Sequence, residues 1–243
     1  MDSFFIQVIL VATLAGFIQG VSGFAFALVA TSLWAWMIEP QVLAPTVIMA
    51  SLLGQLTSLS SIKARPSFER TMPFLIGGAI GVPGGVLLLP LLDATAFRVS
   101  IGVMLVIYCS VMLGIRELPV IRAGGKPADG GIGLLAGVLG GATGVPGPPV
   151  ILWCALRGWD KASQRATFQS FFIGLQLLIL GVYVMTGLVN ARSLQLILVA
   201  ALPIMISSWI GSRVFRRFTD RDFQKVIFGL LLISGLALVS SGL

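Results

Sequence analysis

Eight long apolar segments follow one another along this chain, covering 4–37, 41–62, 72–92, 96–115, 130–157, 163–187, 193–213 and 224–243. Runs of about 18 or more nearly uncharged residues mark membrane-spanning helices. Only 10% of the 243 residues are charged, where a soluble domain carries about a quarter. In lipid every backbone polar group must be satisfied within the protein, which leaves helices or closed barrels. These segments lack the strict alternation of barrel strands. The sequence therefore predicts an all-α polytopic integral membrane protein.

Two of the segments are copies of each other. "LAGFIQGVSGFAFALV" (14–29) aligns without gaps on "LAGVLGGATGVPGPPV" (135–150) at an offset of 121. Gly16, Gly20 and Gly23 fall on Gly137, Gly141 and Gly144, and Ser22 falls on Thr143. The register continues through Thr46/Thr167 and Gln55/Gln176, then resumes at offset 127 with Gly84/Gly211 and Asp93/Asp220. Internal symmetry of this kind is usual in secondary transporters. The chain divides into a first repeat, 1–115, a basic linker, 116–129, and a second repeat, 130–243.

Each copied segment is too long for one upright span. Segment 4–37 would be roughly 51 Å as a straight helix, against a bilayer core of about 30 Å. Either it crosses once, or it turns at its glycines and returns as a hairpin. The basic residues decide. Single crossings divide the sixteen Lys and Arg residues seven to nine. Hairpins leave only Arg98 and Arg192 on one side and the other fourteen on the opposite side, as the positive-inside rule requires. The expected architecture is two inverted repeats, each a glycine-tipped broken-helix hairpin plus three transmembrane helices. Hairpins 4–37 and 130–157 are followed by spans 41–62, 72–92 and 96–115, and by 163–187, 193–213 and 224–243. Both termini are then external, periplasmic in a Gram-negative inner membrane.

At each tip a half-helix begins with free N–H groups and a positive dipole end, which is an anion site needing no charged side chain. The expected substrate-binding residues are Gly20, Ser22, Gly23, Phe24 and Ala25 at the first tip and Thr143, Gly144, Val145 and Gly147 at the second. Gln55 and Gln176, mid-span and related by the repeat, either face the site or bond between helices. The competing reading of the glycines is close helix packing, whose spacing Gly16/Gly20, Gly77/Gly81 and Gly137/Gly141 also fit. Tryptophans 34, 36, 153, 159 and 209 lie near segment ends, as an aromatic belt would. Asp160 and Glu39, repeat mates, are placed to cap the following helices.

Several classes are excluded. The chain has no histidine, and no Asp, Glu or Lys is expected deep in a span, so acid–base or nucleophilic enzymology has nothing to work with. Cys109 and Cys154 have no metal or redox spacing. No cofactor is expected. The net charge of +7 sits at segment ends rather than in a nucleic-acid patch. The partners are lipid and a small ion; oligomeric state is open.

At these residues the chain resembles the TauE/SafE family of sulfite and organosulfur-anion exporters. The resemblance rests on "GFIQGVSGFAFALV", "GVLGGATGVPGPPVIL", the basic linker and the ending "DRDFQKVIFGLLLI", and it spans essentially the whole chain. It implies a secondary transporter for sulfite, sulfoacetate or other sulfonates in the bacterial inner membrane; the coupling ion, proton or sodium, is left open by the sequence. The residues alone give only a small anion; the alternative is a channel or carrier for another small ion, including a cation held by half-helix C-termini.

Overall fold

The computed structural model describes residues 3–58, 67–114, 119–121, 123–214 and 220–241, the side chains of 161, 214 and 220–224 excepted. The end of span 41–62 and several of the counted charges (Lys63, Arg65, Arg116, Arg122, Arg216 and Arg217) lie outside these residues. Ten α-helices are described: α1 Ser3–Ser22, α2 Phe26–Trp34, α3 Pro40–Ser58, α4 Phe68–Leu88, α5 Ala94–Gly114, α6 Gly125–Thr143, α7 Gly147–Leu156, α8 Lys161–Met185, α9 Ala191–Val214 and α10 Asp220–Ser240. A 3-10 turn, Leu89–Leu91, extends α4. No strand occurs among the described residues. Six helices (α1, α3, α4 with its turn, α5, α8 and α9) are long and apolar enough to cross a bilayer, so the chain is a multi-pass helical membrane protein.

Both copied segments break where their glycines stand. Gly23 (φ +86) and Gly144 (φ +77) are left-handed, a conformation that costs an L side chain roughly 1–2 kcal/mol. Their N–H groups bond back to Gln19 and Gly140 carbonyls, closing α1 and α6 with the αL cap that glycine favours. The second segment folds back on itself. Asp129, early in α6, accepts from Trp153 Nε1 at 2.7 Å and pairs with Arg157 at 3.1 Å, both at the end of α7. α6 begins at Gly125, inside the stretch read as linker; Pro127 falls in its first turn, where a missing N–H costs little.

Glycine seams hold the halves together. A Cβ added to Gly77, Gly81 or Gly85 of α4 would strike the backbone of Gly130, Leu134 or Val138 on α6. Gly133 and Gly137 of α6 are blocked in turn by Phe74 and Gly78. The repeat mate of this seam joins α1 to α9: Gly20 abuts Ser208 and Gly211, and Gly211 abuts Phe17. Such backbone-to-backbone approach is how helices associate where lipid removes the hydrophobic drive. Along both seams residue numbers rise together, so each pair is parallel. α5 and α10 run antiparallel, with Gly102 beside Gly235 and Val239 while Tyr108 meets Phe228.

Exchanging the halves maps most of the packing onto itself. α1–α9 becomes α6–α4, α3–α9 becomes α8–α4, and the α3–α8 and α5–α10 pairs return to themselves. One departure stands out. α10 packs on α2, whereas an apolar cleft lined by Tyr108, Leu139, Pro149 and Trp153 opens between α5 and the second hairpin.

Trp34 corrects the aromatic-belt reading. It is fully buried and packs edge-on against Phe26, because α2 is only nine residues long and ends inside the fold. Trp153 is likewise a hydrogen-bond donor within the second hairpin. Asp160 caps α8 through Ser163 N–H at 3.0 Å, and the Ser163 hydroxyl and amide hold its carboxyl below the usual range. Both cysteines are buried and unpaired.

Candidate functional site

The first turns of α2 and α7 come together around a narrow cavity of about 10 Å³, room for about one water. Phe24, Ala27 and Leu28 line it from the first hairpin and Val145, Pro146 and Gly147 from the second. Ser51 of α3 and Phe172 and Gln176 of α8 complete it. Gln176 donates to Ser51 Oγ at 2.9 Å, and its own amide oxygen is buried with no partner among the described residues. Gln19 donates to the Ser51 carbonyl at 3.0 Å. Two amides from different helices thus converge on Ser51, beside the cavity.

The two tips are built alike. Ser22 Oγ accepts from the N–H groups of Phe24 (3.3 Å) and Ala25 (3.1 Å). Thr143 Oγ1 accepts from Val145 N–H at 3.3 Å and donates to the Leu139 carbonyl at 2.7 Å. These hydroxyls shape the tips by closing their short loops.

Beyond the loops the chemistry diverges. The first i→i−4 bond of α2 runs from Val29 to Ala25 at 3.1 Å, so the N–H groups of Phe26, Ala27 and Leu28 precede it and no side chain caps them. In α7 the same positions are Gly147, Pro148 and Pro149, and proline has no N–H. At these three positions the first tip has three backbone N–H groups and the second has one. The surroundings differ in the same sense. A Cβ built on Gly23 would lie 3.1 Å from Arg165 Nε, 3.2 Å from its Nη2 and 3.2 Å from Gln169 Nε2. At Gly144 the nearest atoms are the Ala44 backbone at 3.0 Å and Val47.

The profile of the family described as "Sulfite exporter TauE/SafE" matches residues 8–238. The chain belongs to the TauE/SafE family. No curated protein and no solved structure matches it. Membership, together with six apolar spanning helices, makes this TauE/SafE chain a membrane transporter of the sulfite-exporter kind.

Of the residues expected at the site in this TauE/SafE chain, Phe24, Val145, Gly147 and Gln176 line the cavity. Ser22, Gly23, Ala25, Thr143 and Gly144 form the tips beside it. Gly20 lies instead in the α1–α9 seam, one turn from the first tip. Gln55 is buried with neither end of its amide partnered among the described residues, and it does not line the cavity. Sequence reasoning missed Ser51 and Gln19, and it counted Arg165 among the fourteen basic residues on one side of the membrane.

Proposed function

We propose that this TauE/SafE protein carries sulfite or another small sulfur-containing anion, held between the opening turns of α2 and α7. The observation that carries this reading is the cavity itself, where both half-helix N-termini converge with Gln176 and Ser51. Helix N-termini favour anions without a charged side chain. Irregular backbone at membrane depth is tolerated where it lines such a cavity.

The helix directions support the double-hairpin, inverted-repeat topology. If both copied segments fold back, helix sense alternates along the chain, making α1 and α9 parallel, α4 and α6 parallel, and α5 and α10 antiparallel. Those are the senses that the seam contacts give. Single crossings at both segments would set α5 and α10 parallel; a single crossing at one alone would set α1 and α9 antiparallel. With the positive-inside rule, this puts both termini outside, in the periplasm for a bacterial inner membrane. Cysteines at Ser67 and Ala123 then label only from the cytoplasmic side, and one at Ser241 only from outside. Cytoplasmic labelling of Ser241Cys would sink the inversion.

The decisive function test is uptake of radiolabelled sulfite into proteoliposomes, with and without a pH or sodium gradient. Saturable uptake, competed by sulfonates, is the expected result, and the effective gradient names the coupling ion. Uptake of sodium or another cation with no effect of any anion would replace the reading with cation transport.

A further inference from the structure

α5 and α10 pack on each other and, among the other helices, rest chiefly on α2 of the first hairpin. Exchanging the halves returns this pair to itself and carries α2 onto α7. The repeat therefore offers the pair two equivalent seats, and it occupies one. At offset 127, Leu231, Ser234 and Leu238 of α10 correspond to Met104, Ile107 and Val111 of α5. In α10 this face is covered: Leu231 and Leu238 are buried, and the Ser234 hydroxyl donates to the Ser32 carbonyl of α2 at 3.5 Å. In α5 the same face lines the open cleft of about 430 Å³ beside α7, and Ile107 is 61% exposed. The mate of the Ser234–Ser32 contact is Ile107 with Trp153, and both line that cleft. The Tyr108 hydroxyl, on the α5 side, is buried with no partner among the described residues.

We propose that the α5–α10 pair is the moving gate of the transporter, seated on α2 in this structure and on α7 in the opposite state, the cleft being its second seat. The inference rests on the transport and inverted-repeat readings above. In that topology α2 lies in the outer half of the membrane and α7 in the cytoplasmic half. Seating on α2 closes the outer half; seating on α7 closes the cytoplasmic half and frees α2. Rocking of one element between repeat-related positions is how inverted repeats alternate access. The cavity between the tips has room for about one water, so sulfite enters only when the packing around it shifts. Leu28 of α2 lines that cavity, and so does Gly147 of α7, whose neighbours Pro148 and Pro149 line the cleft. Transfer of the pair between hairpins therefore acts on both walls of the cavity. The cleft is apolar on both sides, with Ile107 and Val111 facing Leu152 and Leu156, so docking there strands no charge. Lipid tails are as apolar as leucine, so leaving α2 meets no large hydrophobic penalty.

Cysteine pairs test this in full-length protein whose own Cys109 and Cys154 are replaced by alanine. Ser32→Cys with Ser234→Cys reports the seat on α2, and Ile107→Cys with Leu152→Cys reports the seat on α7. A short bis-maleimide makes the link, since sulfite cleaves disulfides, and links within single chains are read by mass. Each pair is first checked for insertion, monodispersity and uptake before linking. Both pairs are expected to link, and each link lowers sulfite uptake into proteoliposomes roughly tenfold or more. Leu135→Trp, which fills the cleft, suppresses the Ile107–Leu152 link and raises the yield of the Ser32–Ser234 link. Leu198→Trp, at an exposed position of α9, leaves both yields and uptake unchanged. A folded protein in which the Ile107–Leu152 pair never links, or which transports unchanged once it is linked, overturns the gate. Both links forming while the wild type takes up no sulfite under any gradient keeps the gate and overturns the anion reading.

Discussion

The two hairpins share a backbone and divide the chemistry. Both break at a left-handed glycine, both close their loop with a hydroxyl, and both clamp their first helix to a helix of the other half. The first hairpin is polar at its tip, with Arg165, Gln169 and three backbone donors beside it. The second is apolar at its tip, where Pro148, Pro149, Ala44 and Val47 stand. At the base, the distribution reverses: Asp129, Arg157 and Trp153 tie α6 to α7, while the residues in register in the first repeat are Val8, Trp36 and Ser32. One hairpin is polar at its tip and the other is braced at its base. Both copies carry the tip glycines, while the side chains around them differ.

That contrast can be broken by experiment. The largest effect is expected at Gly23→Ala. Its methyl group crowds three donors, so transport falls at least tenfold while the protein still inserts. Gly144→Ala incurs the same positive-φ cost, roughly 1–2 kcal/mol, but meets no donor, so its loss appears in thermal stability more than in KM. Equal loss of transport in both would make the tips equivalent. Asp129→Ala leaves Arg157 buried without its carboxylate and is expected to lower stability by about 3–5 kcal/mol, with KM unchanged, as read by thermal denaturation in detergent. Gln176→Leu removes the bond across to Ser51 and should raise KM several-fold; no change would take the cavity out of the binding path. The smallest effect belongs to Pro148→Ala with Pro149→Ala, which restores two N–H groups at the second tip. A gain in affinity of about twofold is expected, and a large gain would mean the second tip already holds the anion.

Much of this was legible in one dimension. The break points follow from glycine pairs within apolar runs, helix order follows from segment length, and the Asp160 cap follows from its place before α8. The position of Arg165 was not. A basic residue five positions into a helix reads as a boundary signal, and only the fold shows that the boundary of α8 lies against the first tip. Gly20 and Gly141 carry the same ambiguity: spacing alone fits a seam or a site, and the facing backbones of α9 and α4 give both to the seams. Trp34 misled because a segment end is taken for a membrane edge, whereas α2 stops within the protein. Asp129 was assigned to a linker because glycine and proline around it mask the start of α6.

The seams also set an order of events during synthesis. The glycines of α4 meet partners in α6 53 positions later (Gly77 and Gly130, Gly81 and Leu134, Gly85 and Val138), whereas those of α1 wait for α9, near the end of the chain. At roughly 5–20 residues per second, the first hairpin spends on the order of ten seconds or more with its glycine face turned to lipid. The half that carries the arginine-lined tip is therefore the last to lock. A chain cut short between α8 and α9 keeps the second hairpin with its α4 seam and lacks the partner that α1 packs on.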